Sequence, residues 1–184
     1  MRVAAIVLAA GASTRLGEPK QLVRLGWETF LGRAVRMARE AGCSPVVVVL
    51  GASARVIQAG CELGDAVVVV NEDWTEGMGS SVRVGVRALT DVDGCVVLTC
   101  DMPAVTAAHL RELMASGEVT ASAYAGRRGV PAYFPAGSFA SLMELRGDAG
   151  ARALLQSARS VELIGGELDV DTVTDLGIAR QLFS

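Results

Sequence analysis

Apolar residues fall into two kinds of run that alternate along the chain. Short stretches rich in β-branched residues predict strands: Val3 to Leu8, Val46 to Leu50, Ala66 to Val70, Val96 to Thr99, Ala121 to Tyr124, Ala132 to Phe134 and Val161 to Ile164. Most are continuously apolar, as strands are when helices cover both faces of their sheet. Between the first two, Phe30, Leu31, Ala34, Val35, Ala38 and Ala41 recur at helical spacing, with Thr29 placed as N-cap and Gly42 as stop. The same period predicts helices over Ala54 to Leu63, Ser80 to Leu89, Thr106 to Met114, Phe139 to Leu145, Ala149 to Ser157 and Thr174 to Phe183. Strand and helix in alternation predict an α/β fold: three αβα layers around a mainly parallel, Rossmann-like sheet. Ligands of such sheets bind outside the carboxyl ends of the strands, and that is where chemistry is expected.

Length and composition narrow the picture. At 184 residues, with no internal repeat and no linker-like stretch, the chain reads as one domain spanning 1–184. A net charge of −3 offers no long-range attraction to a polyanion, so no nucleic-acid partner is expected. The longest apolar runs fall well short of the ~18 residues a membrane span needs, and no signal peptide is seen; a cytoplasmic, membrane-free protein is expected. The four cysteines, Cys43, Cys61, Cys95 and Cys100, form no CxxC pair, and the single histidine is His109, so zinc spacings are absent. The cysteines read as small buried apolar residues. His109 reads as structural, on the solvent face of its helix.

Candidate chemistry begins after the first strand, where Ala9, Ala10, Gly11, Ala12, Ser13 and Thr14 precede Arg15, Gly17 and Lys20. Small residues let a backbone wrap an anion, and two cations at the rim suit a triphosphate. A P-loop is excluded, because five residues separate Gly11 from Gly17 and Glu18 and Pro19 precede Lys20; no GxGxxG follows the strand either. The plainer reading is a strand-to-helix turn with surface cations. Asp101 follows a buried strand and reads either as a hard oxygen ligand for Mg²⁺ or as a cap for the next helix. Asp169 and Asp171 flank Val170 in an extended segment, so only one should face the crevice. Asn71 ends a strand ahead of Gly77 to Ser81, a pattern that suits a base edge or a simple N-cap at Ser80. Gly126 to Pro131 reads as a turn carrying Arg127 and Arg128, either a solvated pair or an anion site.

The segment LAAGASTRLGEPKQL resembles the signature loop of the molybdenum cofactor nucleotidyltransferases, the MobA-like NTP transferases of the nucleotide-diphospho-sugar transferase type. The resemblance continues in order through NEDWTEGMGSSVRVGV, LTCDMPAV, GRRGVPAYFP, GDAGARALL and DVDTVTDL. It implies a nucleotide site of Leu8, Ala9, Ala10, Gly11, Ser13, Arg15, Lys20, Asn71, Gly79 and Ser80, with Arg15, Lys20 and Asp101 in catalysis. It also implies Mg²⁺ on Asp101 and Asp171, and an acceptor side of Arg128, Gly129, Pro131 and Asp148. Val130 departs from the related pattern, which commonly has histidine before the proline. The implied reaction moves a nucleotidyl group, CMP from CTP, to the terminal phosphate of molybdopterin and releases pyrophosphate. Ala10 favours CTP, since LAAG tends to accompany CTP and LAGG to accompany GTP. The other readings are a transferase with GTP or another phosphorylated acceptor, and a non-catalytic maturation factor that hands the cofactor to a molybdenum hydroxylase.

Overall fold

The computed structural model describes residues 1–147 and 151–183. Its strands are β1 (Val3–Ala9), β2 (Arg24–Leu25), β3 (Glu28–Thr29), β4 (Val46–Leu50), β5 (Val67–Val70), β6 (Gly94–Thr99), β7 (Thr120–Tyr124), β8 (Arg127–Pro135) and β9 (Arg159–Glu162). The helices are α1 (Phe30–Glu40), α2 (Ala54–Gly60), α3 (Met78–Arg87), α4 (Ala107–Met114), α5 (Phe139–Met143), α6 (Arg152–Leu155) and α7 (Val173–Phe183). Seven strands form one sheet in the order β5-β4-β1-β6-β8-β7-β9. β8 runs against both its neighbours and the other strands are mutually parallel.

β1 is buried along its length because successive residues feed different layers. Val3, Ala5, Val7 and Ala9 pack with Leu31, Val35 and Ala38 of α1, Ile57 of α2 and Leu110 and Leu113 of α4. Ala4, Ile6 and Leu8 pack on the other face with Val82 and Val86 of α3, Leu142 of α5 and Leu155 of α6. This is the αβα sandwich that the alternating pattern predicts. A side chain at Gly85 would come within 2.4 Å of Ile6 Cγ2, so α3 owes its close seat on the sheet to that glycine. A third cluster joins Leu16 of the first loop, Phe30, Val170, Leu176 and Ala179, and so ties α7 to the front of the sheet.

Several boundaries differ from expectation. The β7–β8 hairpin turns on Ala125 and Gly126 alone, both at positive φ (48° and 73°), so Arg127 to Pro131 lie in a strand and not in a turn. Their charges hid the strand because this end of β8 lines a crevice. β9 begins two residues before the apolar pattern does, and Ile164 is exposed beyond it. The first two residues of the helix expected over Ala149 to Ser157 lie outside the described residues; α6 covers Arg152–Leu155. The β2–β3 hairpin was not expected. At the far edge, all four residues of β5 are valines, and Val67 and Val70 are 45% and 44% exposed. Among the described residues, no helix is long and apolar enough to cross a membrane.

Candidate functional site

The parallel strands β1, β4, β5 and β6 end on one side of the sheet, and the residues that follow them there include Ala10, Gly51, Asn71 and Asp101. The loop after β1 is held at its base by Gln21, which is fully buried and donates from Nε2 to the carbonyls of Ala9 (2.8 Å) and Gly11 (3.1 Å). The Ser13 hydroxyl accepts from the Lys20 N–H at 3.0 Å, with Ser13 itself at φ 54°. Ala52 N–H donates to the Ala10 carbonyl at 3.0 Å, fixing the loop to the end of β4. Nothing lies within 4 Å of where a side chain at Gly11 would begin, so the loop crest is open to a ligand. Leu8 and Ala9 are buried in the sheet and Ala10 is nearly so. Gln21 is a site residue that residue patterns missed: its role depends on carbonyls 12 and 10 residues earlier.

Lys20 projects from a 3₁₀ turn, Lys20–Leu22, and its ammonium bridges two carboxylates: Asp101 Oδ2 at 2.5 Å and Asp171 Oδ1 at 2.9 Å. Burial opposes its charge, but the Asp101 carboxylate and the hydrogen bonds to Asp101 and Asp171 outweigh that, holding Lys20 protonated well above the ordinary lysine range. Arg15 reaches Asp171 Oδ2 at 3.1 Å from a mainly exposed position. The Val170 N–H donates to the Asp101 carbonyl at 3.0 Å while its side chain enters the third cluster. That anchor corrects the expectation for the flanking carboxylates: the segment is irregular and not a strand, and both Asp169 and Asp171 line the crevice. Burial, with Asp101 nearby, pushes the Asp169 carboxyl up to about 6, and its oxygen stands 3.9 Å from Arg127.

Asp101 Oδ1 is buried and has no hydrogen-bond partner. Such an orphan carboxylate oxygen is costly unless something else meets it. Among the described residues, no three His, Cys, Asp or Glu side chains converge to hold a metal by themselves. Two carboxylates, one with a vacant oxygen, do fit Mg²⁺ or a similar ion that draws its remaining ligands from phosphate and water.

Asn71 anchors the turn that leads into α3. Its amide is buried, donating to Ser80 Oγ (2.7 Å) and Ser81 Oγ (3.0 Å) and accepting from Asp73 N–H (3.1 Å). Ser80 Oγ in turn lies 2.8 Å from the Gly77 carbonyl. Gly79 is pressed against the chain at Arg146 and Gly147, where an added side chain would come within 3.1 Å of backbone. In this arrangement the Asn71 and Ser80 side chains brace the start of α3, and Gly79 lies against the Arg146–Gly147 backbone.

On the other side of Asp101 opens a crevice of about 1310 Å³ whose lining includes Lys20, Asp101, Asp169, Tyr124, Arg127 and Arg128. Gly129 lines it too, while Arg128 donates to the Gln156 carbonyl at 2.6 Å. Pro131 does not reach the crevice: it is buried, and its carbonyl accepts from Ser122 Oγ at 2.6 Å. Asp148 lies outside the described residues. His109 corrects another expectation, since it is buried with Nε2 2.7 Å from Ser122 Oγ. The Ser122 proton goes to the Pro131 carbonyl, so His109 is the donor to Ser122, and burial lowers its pKa. All four cysteines are buried and unpaired with one another.

A mainly parallel sheet whose strand ends carry an open anion loop, a lysine and facing carboxylates has the architecture of the nucleotide-diphospho-sugar transferase class of nucleotidyltransferases. The chain belongs to the MobA-like NTP transferase domain family, matched over residues 5–162. A nicotine blue oxidoreductase of Paenarthrobacter nicotinovorans is 36% identical, covering 95% of this chain and 94% of that protein. A probable molybdenum cofactor guanylyltransferase of Opitutus terrae is 36% identical over 60% of this chain and 54% of its own length. Among solved structures, Rv0371c of Mycobacterium tuberculosis in complex with manganese superposes with a TM-score of 0.83 at 32% identity, covering 99% of this chain and all of that one.

Proposed function

We propose that this protein transfers a nucleotidyl group, CMP from CTP, to the terminal phosphate of a molybdopterin-type acceptor, with release of pyrophosphate. The observation that carries the reading is Lys20 set between Asp101 and Asp171, beside a buried and unpartnered Asp101 oxygen, at the strand ends below the open Gly11 loop. Asp101 and Asp171 would hold a divalent ion, Mg²⁺ in the cell, which when bound supplies positive charge for the triphosphate. The manganese complex of Rv0371c supports a divalent ion in this fold. Arg15, Lys20 and the amides after β1 bind the triphosphate and offset charge on the departing pyrophosphate. An acceptor phosphate has its second pKa near ~6, so it is already an anionic nucleophile and no serine, cysteine or histidine base is required. The protein's part is to hold that phosphate in line with the α-phosphorus.

Ala10 supports CTP over GTP, since its methyl adds bulk where a purine would need room. Such a difference is worth ~1–3 kcal/mol, so Ala10→Gly should narrow the preference without inverting it. The test is incubation with each of the four nucleoside triphosphates, a divalent metal and molybdenum-bound molybdopterin, reading pyrophosphate and product mass. CTP should give the most product, and Asp101→Asn almost none. Pyrophosphate release from no nucleotide would overturn the transferase reading. The full-length likeness to a protein named as an oxidoreductase favours a second reading, redox use of the same crevice. Its signature is oxidation of an added electron donor, with no pyrophosphate released from any nucleotide. Acceptor bound and passed to a molybdenum hydroxylase without either product would identify a maturation factor.

A further inference from the structure

Three consecutive carbonyls after β1 are held by groups of the protein. Gln21 Nε2 donates to those of Ala9 and Gly11, at 2.8 and 3.1 Å, and the Ala52 N–H donates to that of Ala10 at 3.0 Å. The Gln21 amide can sit only this way round. Carbonyls accept, so they must meet its nitrogen and not its oxygen, and the Ser13 hydroxyl faces that oxygen at 3.5 Å. In a planar trans peptide the N–H points opposite to the C=O. The Ala10 and Ala12 N–H groups therefore point away from Gln21, which is fully buried, and the Gly11 N–H points away from Ala52. Gly11 and Ala12 are exposed, and among the described residues neither N–H donates to another backbone group.

We propose that Gln21 is a positioning residue that sets the polarity of this loop: by holding the Gly11 carbonyl inward it turns the Ala12 N–H outward, toward a bound polyphosphate. The loop then offers that ligand a donor and not a carbonyl. A side chain of the same shape that could not donate would leave two carbonyls unpaired, and a freed peptide could rotate to show its oxygen instead. Gln21 is buried and meets no ligand itself; it acts through the peptide between Gly11 and Ala12. Naming the polyphosphate as that of a nucleotide rests on the transferase reading, whereas the direction of the peptide does not.

The test is nuclear magnetic resonance of the isotope-labelled protein titrated with inorganic triphosphate and Mg²⁺. In the wild type the Gly11 and Ala12 amide protons should both move downfield. Gln21→Met keeps an unbranched side chain of similar length and removes the donors. In it Ala12 should lose most of that movement while Gly11, set through Ala52, keeps its own. Triphosphate should bind ~10-fold more weakly, the size expected of one charge-assisted hydrogen bond. Gln21→Glu keeps the shape without either N–H, so it should repeat the Ala12 loss, and it serves if the methionine variant does not fold. If neither folds, the wild-type Ala12 amide decides alone. An Ala12 amide that stays still in the wild type, or that moves fully in a folded variant, overturns the proposal. An equal loss at Gly11 and Ala12 also overturns it, because Gln21 would then be a general prop. Absence of pyrophosphate from every nucleotide overturns the transferase reading and leaves the Ala12 result standing; pyrophosphate release with an unmoved Ala12 amide does the reverse.

Discussion

Lys20 is a buried cation between two carboxylates, with its side chain 16% exposed and that of Asp101 13%. Removing it leaves the Asp101 carboxylate in a poorly hydrated place with no counter-charge, which typically costs ~3 kcal/mol or more. Lys20→Ala should therefore unfold at a markedly lower temperature, and millimolar Mn²⁺ should recover more stability for the variant than it adds to the wild type. Differential scanning fluorimetry reads both; equal metal effects on the two proteins would mean that Asp101 and Asp171 do not hold the ion. Lys20 and Asp101 were singled out from sequence because charge beside a strand end is a local pattern, whereas Asp171 was preferred to Asp169 by the family resemblance alone. Gln21 and the burial of Asn71 and His109 were not, because whether a polar side chain turns inward is decided by partners elsewhere in the chain. His109 is buried only because Ser122, on a neighbouring strand, offers it a lone pair.

The two-residue strands β2 and β3 are too short to show any period, yet this hairpin positions the start of α1. Glu28 on β3 is nearly buried and accepts from Arg36 at 2.5 and 2.9 Å, with Arg33 close by. The Arg36 hydrogen bond holds its carboxyl below the usual glutamate range, against the opposing effect of burial. Between the folded and unfolded pKa values the unfolded chain binds more protons, so acid removes stability there. The Glu28 contribution is complete above the unfolded value, ~4.3, and is lost as pH falls through the folded one. Glu28→Gln should be less stable than the wild type by ~2 kcal/mol at pH 7, with the gap closing below ~pH 4. Chemical denaturation at a series of pH values measures it, and a gap that stays constant with pH would refute the assignment. β8 was misjudged at the same scale for another reason: an alternating strand pattern presumes one wet and one dry face, and Arg127 and Arg128 face a crevice.

For the whole molecule, strand-helix alternation was sufficient to read the layers, because continuously apolar strands can be covered only from both sides. Strand order and the reversed direction of β8 left no mark on composition, since a strand buried on both faces looks alike in either orientation. The same ambiguity has an outcome for β5. A sheet edge is ordinarily guarded by a lysine, a proline or a bulge, and Val67 to Val70 has none of these. Four identical uncharged residues also give a second copy no wrong register to avoid. Concentrated or warmed solutions should therefore turn cloudy before the main unfolding transition, by strand-to-strand association that starts at this edge. Val67→Lys, placed at an exposed position, should raise the onset of light scattering by several degrees while the unfolding midpoint stays within about 1 °C, as expected for a surface change. Turbidity that rises at the same temperature in both proteins would place the sticky surface elsewhere.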